Sequence, residues 1–556
     1  MIGYLCKYAP AEILEAFGEE TVKLEPEVTD FSHAEVWMHA NICSFTKAVL
    51  EEFAKGAYDG LLLTTCCDST RRLYDTLKKH FPDKFFFILD LPRKINDFAV
   101  QLYTAQIEKL IGAYSSFSGK SFSEEELIAV CKRKPEENHL QKSSGKYNLK
   151  IGLIGARPAS QIKHLIKDHH AKLVFDMTCT GIVRSFAPDT SVLPSYTEQL
   201  LNQMPCMNMA KATDRTEFLT SMASEIDGLI YHTVQFCDIY SYEYSYLKDL
   251  ESTLPILKIE TDSTTQSSGQ ILTRVEAFLE GLRIRNTHTL PTVFHKKEDV
   301  PMYVLGIDSG STSTNAVILD SNKKIRAHAV VRTGAKSAES ASHILDIILE
   351  KAQLQSSDLS RIISTGYGRV GIDYADTAIT EISCHGRGAH YLNPKVRTIL
   401  DIGGQDSKAI RLNEKGEVLD FVMNDKCAAG TGRFLEMMAR TLEIDLEEFG
   451  RLSLQSTKQV KISSMCSVFA ESEVISLIAQ NTESSDIAHG IHEAIASRAI
   501  SLLKRIGPEA DFMMTGGVAK NPGIVAVLEE QLGQSLFISE EPEIVGALGA
   551  ALFGFE

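Results

Sequence analysis

Short apolar runs alternate with segments of helical periodicity along most of the chain. In the first half the clearest runs are residues 60–65, 85–89, 150–155 and 228–231, with a further one near 173–175. Each has the length of a β-strand, and strands that are apolar throughout are typical of parallel sheets covered by helices on both faces. We therefore predict an α/β fold with parallel sheets for this half.

The second half carries one local pattern twice: a strand, an acidic residue, a glycine-rich turn and another strand. The first copy runs through residues 304–310 and 315–320, and the second through residues 398–404 and 408–412. Each copy predicts a pair of strands joined by a turn. Two such hairpins that face each other across a cleft can hold a nucleotide between two lobes.

A chain of 556 residues is too long for one hydrophobic core, and two polar stretches suggest where it divides. Residues 295–301 are charged and end in proline, which predicts a boundary between a domain at residues 1–297 and a domain at residues 302–556. Residues 132–146 are polar throughout and predict a softer boundary inside the first domain. The segments on both sides of this softer boundary have the α/β pattern.

The composition excludes some partners. A formal net charge of -16 argues against nucleic acid or an anionic membrane surface as the main partner. No apolar run is long enough to span a bilayer, and the residues after Met1 lack a signal-peptide pattern, so we expect a cytoplasmic protein. Eleven cysteines in such a chain indicate metal or redox chemistry rather than disulfides.

Three glycine-containing turns in the second half are candidates for a nucleotide site. The first follows Asp308, which can hold Mg²⁺ through water, and its backbone N–H groups can bind phosphate oxygens. The second follows Asp401 and adds Gln405, whose amide can orient an attacking water; the third follows residues 512–514 and lets the backbone pack on an adenosine. The predicted catalytic residues are Asp308, Asp401 and Gln405, and the predicted nucleotide-binding residues are Gly310, Ser311, Thr312, Ser313, Thr314, Gly403, Gly404, Gly516 and Gly517.

These motifs, together with residues 366–369, 380–385 and 424–432, resemble those of the BadF/BadG/BcrA/BcrD ATPase family from about Tyr303 to the C-terminus. The resemblance implies the two-lobed fold of actin, Hsc70 and the sugar kinases, with ATP and Mg²⁺ as ligands. The family includes the activator of 2-hydroxyacyl-CoA dehydratases and the ATPase subunits of benzoyl-CoA reductase. Many members have lysine where this chain has Asn315, so no phosphate contact is expected there.

Two cysteines in this half have no use in an ordinary phosphotransferase. The resemblance implies that two subunits share one [4Fe-4S] cluster, each through two cysteines, and the matching positions are Cys427 and Cys466. Both precede predicted helices, at residues 431–442 and 468–479, and a helix N-terminus lowers the pKa of a thiol and stabilises an anionic cluster. A two-fold axis completes the four thiolates, which predicts a homodimer through the ATPase domain. Cys384 is expected to be a buried thiol.

Six further cysteines lie in separate motifs of the first half: Cys6, Cys43, Cys67, Cys179, Cys206 and Cys237. None has CxxC spacing, which opposes a zinc-ribbon or ferredoxin site, and their Asp, Thr, Pro and Gly neighbours favour loops. Residues 67–74 and 236–244 best carry a resemblance to the 2-hydroxyacyl-CoA dehydratase component D family over about residues 1–290. We expect a pair of flavodoxin-like parallel-sheet subdomains here.

The second resemblance leaves two kinds of iron–sulfur cluster open. In the double-cubane branch of the family, six cysteines hold an [8Fe-9S] cluster, three for each cubane, and all six motifs fit that number. In the dehydratase subunits three cysteines hold one [4Fe-4S] cluster, and the matching residues are Cys43, Cys67 and Cys237. Cys66 competes with Cys67 for its position, and Cys131, which has no motif, is expected to be structural.

The sequence therefore predicts a fusion of an ATP-driven electron-transfer activator with its electron acceptor. Reduced ferredoxin or flavodoxin would supply the electron, and a small molecule would be reduced at the first half. The alternatives are a 2-hydroxyacyl-CoA dehydratase with a fused activator, acting on an acyl-CoA; a kinase of the same superfamily; and an ATP-linked redox sensor. Clusters with exposed iron are sensitive to oxygen, so an anaerobic cytoplasm is expected.

Overall fold

The chain divides into two compact units, Met1–Glu276 and Ala277–Glu556. The computed structural model describes residues 1–56, 58–137, 148–157, 160–179, 181, 185–251, 254–265, 268–287, 302–334, 336–424, 428–462 and 467–556. The boundary predicted at residues 295–301 lies outside these ranges and stays a prediction. Of the softer boundary at residues 132–146, residues 132–137 are helical and residues 138–147 lie outside the described ranges.

The first unit is built on two parallel sheets. Its strands are β1 (Ile2–Tyr4), β2 (Thr21–Lys23), β3 (Gly60–Thr64), β4 (Phe85–Leu89), β5 (Leu149–Gly155), β6 (Ala171–Thr178), β7 (Gly228–Val234) and β8 (Ile256–Thr261). The strand orders are β2-β1-β3-β4 and β6-β5-β7-β8, and all pairs in both are parallel. The two sheets thus repeat one flavodoxin-like order, which confirms the fold predicted for this half.

Helices cover both faces of the first of these sheets. Leu61 and Leu63 of β3 pack into one apolar cluster, and Leu62 packs into another on the opposite face. This burial explains why the strand is apolar throughout. The helices of the unit are α1 (Ala11–Glu15), α2 (Ala34–Trp37), α3 (Ser44–Ala54), α4 (Asp68–His80), α5 (Asp97–Ser118), α6 (Glu124–Glu137), α7 (Ser160–Asp168), α8 (Val192–Leu201), α9 (Thr213–Met222) and α10 (Asp238–Glu251). Helix α11 (Ser268–Thr287) contains the division between the units.

The second unit contains the predicted duplication. Its strands are β9 (Tyr303–Ser309), β10 (Ser313–Asp320), β11 (Ile325–Arg332), β12 (Arg361–Thr365), β13 (Thr377–Ala378), β14 (Thr398–Ile402), β15 (Ser407–Leu412), β16 (Val418–Asn424), β17 (Phe512–Thr515) and β18 (Leu536–Phe537). The strand orders are β11-β10-β9-β12-β13 and β16-β15-β14-β17-β18. In each sheet the central strand pairs antiparallel with its hairpin partner and parallel with a strand on its other side. The two predicted hairpins are therefore the equivalent halves of a two-lobed actin-like fold.

The helices of the second unit pack against these sheets. They are α12 (Ser337–Ala352), α13 (Glu381–Leu392), α14 (Gly432–Thr441), α15 (Leu446–Ser453), α16 (Ser467–Ala479), α17 (Ser484–Arg505), α18 (Pro522–Leu532) and α19 (Val545–Phe553). Gly306 of β9 lies directly on α19, because a Cβ there would come within 2.0 Å of the Ala547 carbonyl oxygen. Similarly, a Cβ on Gly388 of α13 would come within 2.2 Å of the Val545 carbonyl oxygen. Helices α13 and α19 therefore pack closely behind the nucleotide hairpins.

His492 of α17 should make the second unit sensitive to acid. Its ring is fully buried against Phe449, and its Nδ1 lies 2.8 Å from Ser453 Oγ. Burial lowers the pKa of His492 to about 3, so below pH ~6.5 only the unfolded chain readily binds this proton. The free energy of unfolding is therefore highest above pH ~6.5, and it decreases as the pH falls toward 3. At pH 5 the decrease due to His492 is about 2 kcal/mol. Chemical denaturation gives the free energy of unfolding at neutral pH and at pH ~5. The difference between these two values should be smaller in His492→Gln than in the wild type, and it should be unchanged in the control His343→Gln, where the histidine is exposed. An unchanged pH dependence in His492→Gln would contradict this assignment.

Candidate nucleotide site and thiol set

The two hairpins of the second unit present equivalent carboxylates with different neighbours. Asp308 lies opposite Asn315 in the β9–β10 ladder, whereas Asp401 lies opposite Lys408 in the β14–β15 ladder. All four residues are buried. The position that carries lysine in one hairpin thus carries a neutral amide in the other, and this difference separates the properties of the two carboxylates.

Asp401 is held in the ionised form. Its Oδ2 accepts a hydrogen bond from Lys408 Nζ at 3.2 Å, and its Oδ1 accepts one from Thr515 Oγ1 at 2.9 Å. Burial alone would raise its pKa, but His385 and Lys408 outweigh burial and hold the pKa of Asp401 at about 2. The residue is therefore a permanent negative charge at neutral pH.

Asp308 is also buried but has Asn315 rather than a lysine opposite it. Its burial raises its pKa to about 6, because the nearest cation is not in direct contact. Two glycines make room for its carboxylate: a Cβ on Gly366 would come within 2.4 Å of Oδ1, and a Cβ on Gly546 within 2.3 Å of Oδ2. Gly366 also has a φ of 83°, which disfavours any other residue. Among the described residues its charged neighbour is His385 at 4.0 Å, so the buried carboxylate can take a metal or a polar ligand.

His385 connects the two carboxylates and was missed by the sequence analysis. The residue projects from α13, with Nε2 4.0 Å from Asp308 Oδ2 and Nδ1 3.8 Å from Asp401 Oδ1. Its Nδ1 also lies 3.3 Å from Thr515 Oγ1. The motif at residues 380–385 was noted only as part of a family resemblance. Its separation from both aspartates along the chain gave no sign of this contact.

Lys408 was also missed, although the duplicated hairpins contained a signal for it. Lys408 Nζ lies 2.7 Å from Asp406 Oδ2 and 3.5 Å from Glu381 Oε1, besides its contact with Asp401. Burial would lower its pKa, but Asp406 and Glu381 raise it well above its ordinary value. Asp401 and Lys408 lie opposite each other in the antiparallel β14–β15 ladder. The two residues are equally far from the turn that joins the strands, so this pair could have been predicted from the sequence.

The glycine turns of the two hairpins touch each other. A Cβ on Gly404 would lie 1.9 Å from Thr312 Oγ1, so only glycine allows this approach. Thr312 Oγ1 is buried and has no hydrogen-bond partner among the described residues. The Gly310 N–H donates to the Ser313 carbonyl at 3.0 Å, which closes the first turn. Two buried carboxylates and an unsatisfied hydroxyl beside glycine turns fit a Mg²⁺-bound polyphosphate.

The remaining residues predicted to bind the nucleotide lie in or beside these turns and differ in their exposure and contacts. Thr314 Oγ1 bonds Thr333 Oγ1 at 2.8 Å, so this hydroxyl is used within the fold. Ser311 is exposed, and Ser313 is half-buried. Gly516 has a φ of 85° and approaches Asp401 so closely that a Cβ would meet Oδ1 at 2.8 Å. Gly517 has more room, since the nearest atom to its Cβ position is 3.4 Å away.

Gln405 and its turn are bound to the start of α14. The backbone N–H groups of Gly432 and Arg433 donate to the carbonyls of Gly403 and Gly404, each at 2.9 Å. With its amide oxygen toward the guanidinium, Gln405 accepts two hydrogen bonds from Arg433, at 3.1 and 2.8 Å. The amide nitrogen of Gln405 then faces away from Arg433. The second glycine turn is therefore fixed to a helix that begins five residues after Cys427.

Cys427 and Cys466 themselves lie outside the described residues. The helices that follow them are described: α14 begins at Gly432 and α16 at Ser467, close to the predicted helices at residues 431–442 and 468–479. Their role as cluster ligands stays a prediction. Cys384 is fully buried, as expected, and burial raises its pKa well above the ordinary value.

In the first unit the motif cysteines gather at the carboxyl ends of strands. Cys6 follows β1, Cys67 follows β3, Cys179 follows β6 and Cys237 follows β7. Strands β1 and β3 are neighbours, so the first two come together at one edge of their sheet. Cys43 directly precedes α3. Loops at this edge of a parallel sheet are the usual location of ligand sites.

Cys66 interacts with four other cysteines, which together with it form the thiol set (Cys6, Cys66, Cys67, Cys179 and Cys206). Hydrogen bonds from Cys6 and Cys67 lower the pKa of Cys66 well below its ordinary value, and the same bonds raise the pKa of Cys6 and Cys67. Thr70 Oγ1 lies 3.4 Å from Cys66 Sγ and 3.0 Å from Cys67 Sγ. Both neighbours thus belong to the thiol set, and the choice between them as a ligand stays open.

The other cysteines of the first unit differ in their pKa values and in the apolar cluster that they contact. Burial raises the pKa of Cys179 and of Cys206, and the negative charge of Cys66 raises both further. Burial and the neighbouring Cys43 raise the pKa of Cys237 to about 12. Cys43 and Cys237 pack on the same apolar cluster as Cys179, whereas Cys6 and Cys206 belong to another. Cys131 is buried, in keeping with the structural role expected for it.

Arg93 fixes two of the cysteine loops to each other. Its guanidinium donates to the carbonyl oxygens of Thr65 at 2.8 Å and Cys66 at 3.2 Å. It also donates to the Asn208 carbonyl at 3.3 Å, two residues after Cys206. One cation therefore holds together loops that are far apart in sequence.

Arg215 does the same for a second pair of loops. Its Nη1 donates to the carbonyls of Met177 at 2.9 Å and Pro205 at 3.2 Å, which lie beside Cys179 and Cys206 in sequence. Its Nε donates to Glu243 at 2.6 Å, and both side chains are almost fully buried. Fixed cations around a buried thiol set offset the negative charge that thiolates bring.

The donor chemistry of the first unit suits iron and sulfur. Among the residues that the structure describes, no three Cys, His, Asp or Glu side chains form a group that could hold a metal ion as they stand. The hydrogen-bond partners described for Cys66 and Cys67 are Thr70 and neighbouring thiols. The charges of Arg157, Lys7 and Arg215 act on members of the thiol set. A group of cysteine sulfurs beside arginine and lysine side chains fits an iron–sulfur cluster better than it fits a hard metal ion.

Comparison with known proteins assigns both halves. The family model of the BadF/BadG/BcrA/BcrD ATPase family matches residues 305–554. An activator of lactoyl-CoA dehydratase from Anaerotignum propionicum is 50% identical over 255 residues, covering 46% of this chain and 98% of that protein. The chain belongs to the BadF/BadG/BcrA/BcrD ATPase family. The model of the 2-hydroxyglutaryl-CoA dehydratase D-component matches residues 6–150 and 136–282, so both family resemblances of the chain are confirmed.

Further relatives of this ATPase family member also align with its second half. The 2-hydroxyisocaproyl-CoA dehydratase activator from Clostridioides difficile is 45% identical over 255 residues, covering 46% of this chain and 96% of that protein. The solved structure of the activator of the 2-hydroxyisocaproyl-CoA dehydratase from Clostridium difficile with bound ADPNP covers 46% of this chain and 94% of its own, with 45% identity and a TM-score of 0.44. The family supports an ATP-hydrolysing enzyme.

No helix within the described ranges combines the length and the apolar character needed to cross a membrane.

Proposed function

We propose that this protein couples ATP hydrolysis in its second unit to the transfer of low-potential electrons to an iron–sulfur cluster in its first unit. Reduced ferredoxin or flavodoxin is the electron donor, two chains share one [4Fe-4S] cluster through Cys427 and Cys466, and a small molecule is the final acceptor. The observation that carries the proposal is the joining, in one chain, of the Asp308–His385–Asp401 arrangement with a buried thiol set.

Support for the ATPase activity comes from the carboxylates of Asp308 and Asp401, which have different pKa values. Asp401, paired with Lys408, is a fixed charge that can orient the waters of Mg²⁺, and Asp308 approaches His385 from the other hairpin. Gln405 offers an amide nitrogen beside the second turn for an attacking water. These side chains position and polarise, which is most of what phosphoryl transfer requires from a protein.

The nucleotide turn is hydrogen-bonded to the start of α14, the helix that follows Cys427 in sequence. The carbonyls of Gly403 and Gly404 accept the first N–H groups of α14. A shift of this turn on hydrolysis therefore moves the start of α14, which follows Cys427 in sequence. Iron–sulfur clusters supply one-electron transfer, and a tenfold change in that equilibrium corresponds to about 59 mV. Hydrolysis can thus drive electrons to potentials that the donor alone does not reach.

A second candidate function is 2-hydroxyacyl-CoA dehydration with a fused activator. One observation favours it: Cys43, Cys67 and Cys237, the residues matching a dehydratase cluster, each directly precede a helix (α3, α4 and α10). These three match in number the cysteines that hold one cubane in the dehydratase subunits. An acyl-CoA is then the substrate.

Counting iron and acid-labile sulfide on anaerobically purified protein separates the two functions. A double cubane with half of a shared [4Fe-4S] cluster predicts about ten irons per chain, and Cys6→Ser should lower that number sharply. Cys131→Ser is the matched control, because this buried cysteine has no place in either ligand set. About six irons, unchanged by Cys6→Ser, would favour the dehydratase, and about two would contradict a cluster in the first unit.

A further inference from the structure

Glu280, on α11, binds the beginning of α13 from a position outside the match to the ATPase family. Its Oε1 accepts a hydrogen bond from the Thr380 backbone N–H at 3.2 Å. Its Oε2 accepts one from Ser383 Oγ at 2.6 Å and one from Thr380 Oγ1. Thr380 is the N-cap of α13 and makes no side-chain cap of its own. A carboxyl group from another helix therefore supplies hydrogen-bond acceptors at this helix N-terminus.

Helix α13 carries the residues that organise the nucleotide site. Glu381, in its first turn, lies 3.5 Å from Lys408, and His385, one turn later, lies between Asp308 and Asp401. His385 makes contacts of 3.8 and 4.0 Å with the carboxylates, so a small shift of the helix changes both. The end that Glu280 binds is thus the end that positions His385.

The second half of α11 is packed firmly along α13. Ala277 shares an apolar cluster with Ile382, and Ile284 shares one with Cys384. Arg285 donates to the Val418 carbonyl at 2.9 Å. These residues belong to the second compact unit, although the ATPase family model begins at residue 305 and the dehydratase D-component model extends to residue 282. A helix that continues from the dehydratase-like half therefore completes the packing of the ATPase site.

We propose that Glu280 is a positioning residue for ATP hydrolysis: by binding Thr380 and Ser383 it fixes α13, and through α13 it fixes His385 between the two carboxylates. This inference rests on the proposed ATPase activity of the same site. If Glu280 acts in this way, α11, the helix that contains the division between the units, affects the rate of ATP hydrolysis.

The test is steady-state ATP hydrolysis by full-length variants. Glu280→Ala should lower kcat about tenfold with little change in KM for ATP, because the misplaced group lies between the carboxylates and not on the nucleotide base. Glu280→Gln keeps an acceptor for Thr380 and Ser383 and should recover most of the rate. Glu339→Ala is the matched control: it makes the same truncation at an exposed carboxylate of α12, which pairs with Lys336 at 2.6 Å, so its kcat should stay at the wild-type value.

A double-mutant cycle with His385→Ala decides whether Glu280 acts through His385. If it does, Glu280→Ala should have almost no further effect on kcat once His385 is absent. Additive losses, or a wild-type kcat in Glu280→Ala, would overturn the positioning role while leaving the ATPase proposal intact. If the wild-type protein hydrolyses no ATP, the proposed function itself fails.

Discussion

Replacing Asp308 by Asn should nearly abolish ATP hydrolysis and, at the same time, make the nucleotide-free protein more stable. The rate should fall by about two to three orders of magnitude, since a carboxylate that holds Mg²⁺ through its waters cannot be replaced by an amide. ATP hydrolysis at saturating Mg²⁺ and chemical denaturation of the same preparation measure the two effects.

The gain in stability follows from the sign of the pKa shift. Burial raises the pKa of Asp308 to about 6, so the folded state disfavours its ionised form. Above the pKa of the unfolded chain, this carboxylate therefore lowers the free energy of unfolding, with the full cost reached above pH ~6. Asn has nearly the same shape and no charge, which should raise the free energy of unfolding by roughly 2–3 kcal/mol at neutral pH.

Asp401→Asn is the matched variant with the opposite expectation for stability. It should also lose hydrolysis, but it removes a partner of the buried Lys408 and should lower the free energy of unfolding by about 3 kcal/mol. Two isosteric changes at equivalent positions of the two hairpins thus separate catalysis from folding. Substantial ATPase activity in Asp308→Asn would contradict its proposed role, and a loss of stability there would contradict the account of its burial.

The hairpins could be predicted because their signals are local. Strand, acid and glycine turn are neighbours in sequence, and residues 304–310 and 398–404 repeat them in the same order. The parallel sheets of the first unit were predictable for a similar reason, since burial on two faces leaves strands apolar throughout, as in β3 and β4. Such patterns need no information about distant contacts.

The residue that lies between the Asp308 and Asp401 carboxylates could not be predicted from such local patterns. His385 reaches Asp308 and Asp401 from a helix that is separate from both hairpins. Its position depends on how α13 packs, which in turn depends on Glu280, about one hundred residues earlier in the chain. No periodicity reports a contact of this kind.

The first unit shows the same limit. Loop residues and cysteine motifs predicted a site at the carboxyl ends of strands, but the cations that join the loops were not predicted. Arg93 and Arg215 donate to backbone carbonyls, and a carbonyl leaves no mark in the sequence of the residue that bears it. The central place of Cys66 also depends on the convergence of separate loops, which explains why Cys66 and Cys67 could not be distinguished from sequence.

Cys427→Ser should abolish ATP-dependent reduction of the first unit's cluster while leaving most ATP hydrolysis in place. The variant lacks one of the two thiolates that each chain would give to the shared cluster, so about two irons per chain should be lost. The nucleotide residues Asp308, Asp401 and Gln405 remain unchanged. Reduction by ferredoxin or a chemical donor, followed spectroscopically with and without ATP, measures the first effect, and phosphate release measures the second.

Cys384→Ser is the control that makes this result specific. Cys384 is a fully buried thiol of the same unit, beside His385 in sequence, and is not part of the predicted ligand set. Its replacement should keep the iron content and the ATP-dependent reduction, apart from any loss of stability. If Cys427→Ser still reduced the first unit's cluster in an ATP-dependent way, electrons would not pass through the shared cluster. The hydrogen bonds from the nucleotide turn to the start of α14 would then have only a structural role.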